Sequence, residues 1–335
     1  MINSVVNQRW KLVKSIGKGG YGEIFAAQDL HSDRKVAVKI ENNKHKRQAL
    51  KMEKTVLARF KNSPYAPDYI EFGKLADSHY LVMELLGSNF SNLRRNEPNG
   101  VFSLPTTLNL AIHMVGAIED LHATGFIHRD IQPGNFAIRK PNHKESKCPH
   151  CVLFDYGLAR RHLNEDKKPR RPRSRAGFRG TTKFASLQAH LSKEQSRRDD
   201  LWSLLFTLIE FLTRKLPWKN VKEKEKIIEL KKEYSSEKLV ATLPHEFASF
   251  IQHLNSLNYE SMPNYSLLKD LMRGCLKRYK ISEKFSPDWQ ISADDKKKLP
   301  YFFDNTEEST NQPVQNQNLE KDEKKKKKKK DKKKK

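Results

Sequence analysis

The chain has 335 residues, 36% of them hydrophobic, enough to fill the core of one large or two medium domains. Its three cysteines are too few for a disulfide framework, and no run approaches the ~20 consecutive apolar residues of a membrane-spanning helix. The formal charge of +25 is uneven, with a net +9 over residues 321–335 and a net +8 over 160–183, so two basic blocks need explaining.

Met1 to Trp10 contains no secretory apolar region, and Ile2 stands where N-myristoylation needs glycine. An intracellular protein, cytoplasmic or nuclear, is therefore expected. Residues 9 to 84 read as short strands with one helix. Trp10 to Ile16, Glu23 to Ala27, Lys35 to Ile40 and Tyr80 to Met83 are the apolar or alternating runs, which predicts an antiparallel sheet. Between them, residues 48–60 put Met52, Val56, Leu57 and Phe60 on one helical face, with Glu53 beside that stripe.

Gly17, Gly19 and Gly22 fall between the first two strands. A dinucleotide fingerprint would run from strand into helix, so a strand-turn-strand setting favours a cover over nucleotide phosphates, with glycine letting backbone N–H groups approach. Alone, without the downstream residues, the motif reads as a glycine-rich hairpin. Lys39 closes the apolar run Val36-Ala-Val-Lys39, where burial is costly without a partner, and Glu53 on the next helix is the natural one.

Beyond Gly87 the pattern turns helical. Leu108, Ala111, Ile112, Val115, Ile118 and Leu121 recur at three- and four-residue steps, and Gly125 marks a stop. Asp130 and Asn135 follow in a loop, and Asp155 comes after the short strand Val152-Leu-Phe154. Oxygen ligands from Asn135 and Asp155 suit magnesium, and Asp130 could orient a substrate hydroxyl and accept its proton late. Cys148 and Cys151, near His143, His150 and His162, could form half a zinc site or a redox pair, but ordinary loop cysteines are expected. Residues 201–212 are apolar almost all round and predict a buried helix. After Trp289 the composition becomes polar, and disorder is expected from about 304. The lysine tail suits an import receptor, acidic surfaces such as tubulin tails, or a simple solubiliser. No base-reading module or interleaved aromatics accompany it, so specific nucleic-acid binding is not expected.

Together these residues resemble a eukaryotic protein kinase over roughly 9 to 290. Within that family the chain looks like the casein kinase one superfamily, tau-tubulin kinase branch. That likeness rests on Phe178-Arg-Gly-Thr-Thr-Lys-Phe-Ala-Ser186, Gln188-Ala-His190, Ser196-Arg-Arg-Asp-Asp-Leu-Trp-Ser203, Leu216-Pro-Trp218, Leu243-Pro-His-Glu-Phe247 and Ser256-Leu-Asn-Tyr259. The resemblance implies an α+β bilobal fold, with a small antiparallel-sheet lobe at 9–84, a larger helical lobe at 85–290 and a polar tail at 291–335. It implies a monomeric serine/threonine kinase using ATP and Mg2+. Lys39, Glu53, Asp130, Asn135 and Asp155 would be catalytic, Asn135 and Asp155 holding the metal. Ile16, Gly17, Gly19, Gly22, Ile24, Ala37, Lys39, Met83, Glu84 and Leu86 would surround the nucleotide, Met83 as gatekeeper and 84–86 as hinge. Asp200 would tie down the His128-Arg-Asp130 backbone, and Arg179, Thr181 and Lys183 would meet the substrate.

The chain departs from this family in three places. Gln132 replaces the usual lysine, a loss of about 1–3 kcal/mol or roughly ten- to hundred-fold in rate. Tyr156 replaces phenylalanine, a mild change. An insert, Lys167-Lys-Pro-Arg-Arg-Pro-Arg-Ser-Arg175, lies where the family binds peptide and points to acidic or phosphorylated protein substrates, unless it is a merely solvated loop. Gln132 also motivates a competing expectation, a weak or inactive pseudokinase acting as a nucleotide-binding scaffold.

Overall fold

The computed structural model describes residues 1–19, 22–32, 34–41, 49–75, 78–139, 151–282 and 286–301. Among the described residues the N-terminal part is an antiparallel sheet in the order β1-β2-β3-β4-β6-β5. Its strands are β1 (Val5–Val6), β2 (Trp10–Gly19), β3 (Gly22–Asp29), β4 (Lys35–Glu41), β5 (Tyr69–Leu75) and β6 (Ser78–Glu84). The helix α1 (Ala49–Phe60) lies between β4 and β5 in sequence. β4 is buried on both faces, which explains its unbroken apolar run. Val36, Val38 and Ile40 pack with Trp10, Leu12 and Phe25, whereas Ala37 belongs to the cluster that includes Leu50, Val56 and Leu57 of α1. The two-residue alternation of a strand therefore sends Lys39 toward the same side as Ala37, the helix side.

The C-terminal part is helical. α2 (Phe90–Arg95) and α3 (Leu104–Ala123) come first, and α3 starts at a Ser103 cap and ends before Gly125, whose φ of 88° suits the helix stop. Short strands β7 (Phe126–Ile127), β8 (Phe136–Ala137), β9 (Val152–Leu153) and β10 (Arg160–Arg161) frame the loops of interest. α4 (Leu187–His190) precedes α5 (Arg197–Thr213), which is buried almost all round as its composition predicts and opens with a Ser196–Asp199 capping box. α6 (Lys224–Glu233), α7 (Glu246–Ser256) and α8 (Tyr265–Arg278) complete the helical part.

The chain then returns to the start of α3. Asp288 is fully buried and accepts from the Ser103 amide (2.7 Å), the Ser103 hydroxyl (2.5 Å) and the Thr106 hydroxyl (2.7 Å). Trp289 stacks on Phe90, and the Pro300 carbonyl accepts the Leu104 amide. A one-turn helix, α9 (Ala293–Lys296), lies between, its Lys296 paired with Glu97. The expected disorder from 304, the lysine tail, Cys148, His143 and His150 lie outside the described residues.

Candidate functional site

Lys39 and Glu53 meet because β4 parity and the buried stripe of α1 point both side chains into the same interior. The Lys39 ammonium lies 2.7 Å from Glu53 Oε2 and 2.9 Å from Asp155 Oδ1. Burial opposes the Lys39 charge, but the Asp155 and Glu53 carboxylates outweigh it and raise its pKa. The Lys39 charge, in turn, is the main reason the Asp155 carboxyl sits below its ordinary value. Asp155 adopts a left-handed backbone (φ 65°, ψ 72°), a conformation that costs energy for a non-glycine residue. Next to it the Tyr156 ring packs edge-on against Phe60 and His128, and its buried hydroxyl donates to the Leu153 carbonyl.

The loop after β7 is fixed from below by Asp200 in the first turn of α5. Its two oxygens accept the His128 amide (2.7 Å) and the Arg129 amide (2.8 Å), as the resemblance implies. His122 supports it. With Nδ1 accepting from the Tyr265 hydroxyl (2.7 Å), its Nε2–H is left to donate to Asp200 (2.9 Å), and burial, against the pull of Asp200, lowers the pKa of the ring below its ordinary value. Both oxygens of the Asp130 carboxylate are held by protein donors. Oδ1 accepts from the Thr181 amide and hydroxyl, and Oδ2 from Gln132 Nε2 and Asn135 Nδ2, both at 3.1 Å. Asn135 Nδ2 also donates to the Asp130 carbonyl (2.8 Å), which fixes the amide and leaves Oδ1 as its acceptor end.

The glycines form the end of the β2–β3 hairpin, with Gly17 opposite Ile24 and Gly19 opposite Gly22. A side chain at Gly22 would place Cβ 2.2 Å from the Ile40 carbonyl oxygen, so close approach to β4 is what demands glycine there, in addition to any ligand. A Cβ at Gly19 would meet nothing within 4 Å. Ala37 and Met83 are cross-strand neighbours on β4 and β6 and are buried, Ile24 packs against the core, and Ile16 is 48% exposed. Leu86 is half-buried. Glu84 turns its side chain inward. Its carboxylate lies 3.3 Å from Arg139 and accepts from the Asp68 amide, and its own amide donates to the Asp68 carbonyl.

The residues expected to meet the substrate divide. Arg129 has Arg160, Arg173 and Arg179 among its charged neighbours, and burial with these charges, opposed by Glu194, pushes its guanidinium down to about 10. Glu194 answers this group, its Oε1 2.8 Å from Arg160 Nε and both its oxygens held by the Arg173 fork. Lys183 lies apart from them. Its half-buried ammonium is 2.6 Å from Glu210, a buried carboxylate of α5 that also takes Arg94, so its charge is paired within the protein. Glu194 and Glu210 escaped the sequence reading, although Glu210, the one acid in the apolar run 201–212, signals a buried cation partner.

The protein kinase domain family matches residues 10–287. The chain belongs to that family. Its α+β fold is the kinase fold, with a curled antiparallel sheet in the N-terminal lobe and a helical C-terminal lobe. A Dictyostelium discoideum protein named as a probable serine/threonine-protein kinase is 42% identical over 290 residues, 87% of this kinase chain and 58% of that relative. The chain thus spans little more than half the relative's length. Kinases of the family use ATP and magnesium, and the donor set fits: Asn135 Oδ1 and an oxygen of Asp155, whose side chain is 41% exposed, are the hard ligands magnesium takes. Among the described residues no helix is long and apolar enough to cross a membrane.

Proposed function

We propose that the chain is a serine/threonine protein kinase that transfers the γ-phosphate of ATP to protein hydroxyls. The observation that carries this is the Lys39 ammonium held between Glu53 and Asp155, in a chain where Asp130 and Asn135 are hydrogen-bonded to each other. Lys39 would hold the nucleotide phosphates, Asn135 and Asp155 the metal, and Gly17, Gly19, Gly22, Ile16, Ile24, Ala37, Met83, Glu84 and Leu86 the nucleotide. Magnesium-ATP, when bound, supplies the phosphoryl group and neutralises its charge. Asp130 orients the substrate hydroxyl and takes its proton late, a role of positioning more than of base strength.

Within the family we assign the chain to the casein kinase one superfamily, near the tau-tubulin kinases, on the segment motifs around Phe178, Ser196 and Leu243. Acidic or already phosphorylated protein substrates suit Arg179 and the arginine-rich insert. Lys183 contributes less to that preference, since Glu210 neutralises it. The twelve lysines of 321–335 suit an import receptor or an acidic surface, consistent with a cytoplasmic or nuclear monomer.

A second reading, a pseudokinase scaffold, is favoured by Gln132, which meets Asp130 with a neutral amide. The test compares wild-type chain with Asp155→Asn on an acidic protein substrate. Transfer by the wild type alone supports the enzyme, and background transfer by both supports the scaffold.

A further inference from the structure

Lys231 of α6 is 1% exposed, and among the described residues no carboxylate pairs with its ammonium. It lies 4.8 Å from the Trp218 ring centre and 5.0 Å from that of Phe206, and burial pushes it down to about 7. Its hydrogen bonds all go to one short stretch of backbone, the carbonyls of Thr182 (3.2 Å), Lys183 (3.5 Å) and Ala185. Two more donors reach the same stretch. Trp218 Nε1 donates to the Lys183 carbonyl (2.8 Å), and the neutral His190 ring meets the Thr182 carbonyl through Nε2 (3.1 Å).

That stretch begins one residue after Thr181, whose amide and hydroxyl are held by Asp130. Residues 181–185 are therefore anchored at one end by the carboxylate proposed to meet the substrate hydroxyl and at the other by a buried cation. A methionine would fill the same aromatic box without the desolvation cost of an ammonium, but it would withdraw a donor from three carbonyls and take from Ala185 the one side-chain donor it has among the described residues.

We propose that Lys231 is a positioning residue for the protein substrate, holding the 182–185 backbone as the ledge on which the peptide beside the phosphorylated hydroxyl lies. The proposal rests on the kinase reading above.

The experiment is steady-state kinetics of the full chain with Mg-ATP and an acidic serine peptide, comparing wild type, Lys231→Met and Lys231→Arg. A cavity of about 240 Å3 lined by Lys231, Phe206, Trp202 and Ser186 gives the larger guanidinium room. Lys231→Met is expected to raise the peptide KM roughly ten-fold while the ATP KM moves less than about two-fold, and Lys231→Arg to recover most of the loss. An unmoved peptide KM, or equal shifts in both KM values, overturns the proposal. Should Lys231→Met fail to fold, Trp218→Phe keeps the aromatic box but withdraws one donor from the Lys183 carbonyl. It is expected to raise the peptide KM roughly three-fold, and no rise overturns the proposal. Absence of transfer by the wild type sinks the kinase reading and this inference together. Transfer by the wild type with an unmoved peptide KM sinks this inference alone.

Discussion

Asp130 accepts both the backbone amide and the side-chain hydroxyl of Thr181 through a single oxygen, Oδ1, at 2.8 Å each. The amide bond survives replacement by alanine or serine, so the hydroxyl's share can be measured separately. A hydrogen bond to a charged group contributes about 1.5–3 kcal/mol. Thr181→Ala is therefore expected to lower kcat by roughly ten- to hundred-fold with the ATP KM unchanged, and Thr181→Ser to restore most of it. Equal kcat values for the two variants would remove Thr181 from the positioning of Asp130.

Lys39 also has a stability role that activity assays miss. Lys39→Met leaves the Glu53 carboxylate, 1% exposed, without its cation, a change that costs about 3–5 kcal/mol when a buried pair is broken. Adding Glu53→Gln removes the stranded charge. The expected urea midpoints are therefore lowest for the single variant and partly recovered in the double, while phosphate transfer stays at background in both.

Gln132 offers Asp130 Oδ2 a neutral donor at 3.1 Å, on an oxygen it shares with Asn135. A lysine there brings a positive charge to the same place. Gln132→Lys is expected to raise kcat by about ten-fold, within the range a charged donor gains over a neutral one. An unchanged rate in a well-folded variant would show that the missing charge is not what limits turnover.

Two buried histidines set a pH dependence of stability. His162, both of whose ring nitrogens lack a partner among the described residues, is pushed down to about 4 by burial and then by Arg197 and His122, with Asp200 and Glu194 opposing. His190 falls to about 4 through burial, Lys231 and Lys224, against the Thr182 carbonyl. Unfolded imidazoles bind protons near 6.5, so between there and about 4 the unfolded chain holds more protons than the folded one. Stability should be fully present above 6.5 and fall as pH drops toward 4. Urea midpoints across this window check it, and His162→Phe should flatten the decline.

Much of the site is legible in the sequence because its parts are encoded locally. The run ending in Lys39 carries both its strand and its parity, the spacing of Val56, Leu57 and Phe60 carries the helix face, although Leu50 and Glu53 are buried on it while Met52 is only partly so, and Asp130 and Asn135 are close enough to share one loop. β5 escaped because every residue but one is half-buried, which erases the alternation that marks a strand. The pairs Arg173–Glu194, Lys183–Glu210 and Lys231 with the 182–185 carbonyls escaped for a different reason. Each joins residues more than twenty apart in the chain, and a charged residue carries no sign of which distant group will neutralise it. The reason for Gly22 was similarly hidden, since the Ile40 carbonyl that forbids a side chain belongs to another strand.

The Tyr156 hydroxyl, bound to the Leu153 carbonyl, bears on which inhibitors this chain would accept. Compounds that work by expelling the aromatic ring beside Asp155 must break a buried bond that a phenylalanine would not have. That penalty, about 1–3 kcal/mol unless the compound or solvent supplies a new acceptor, is worth up to roughly a hundred-fold in affinity. Drugs that leave the ring in its pocket escape it, so the phenol would act as a selectivity filter against one whole mode of inhibition.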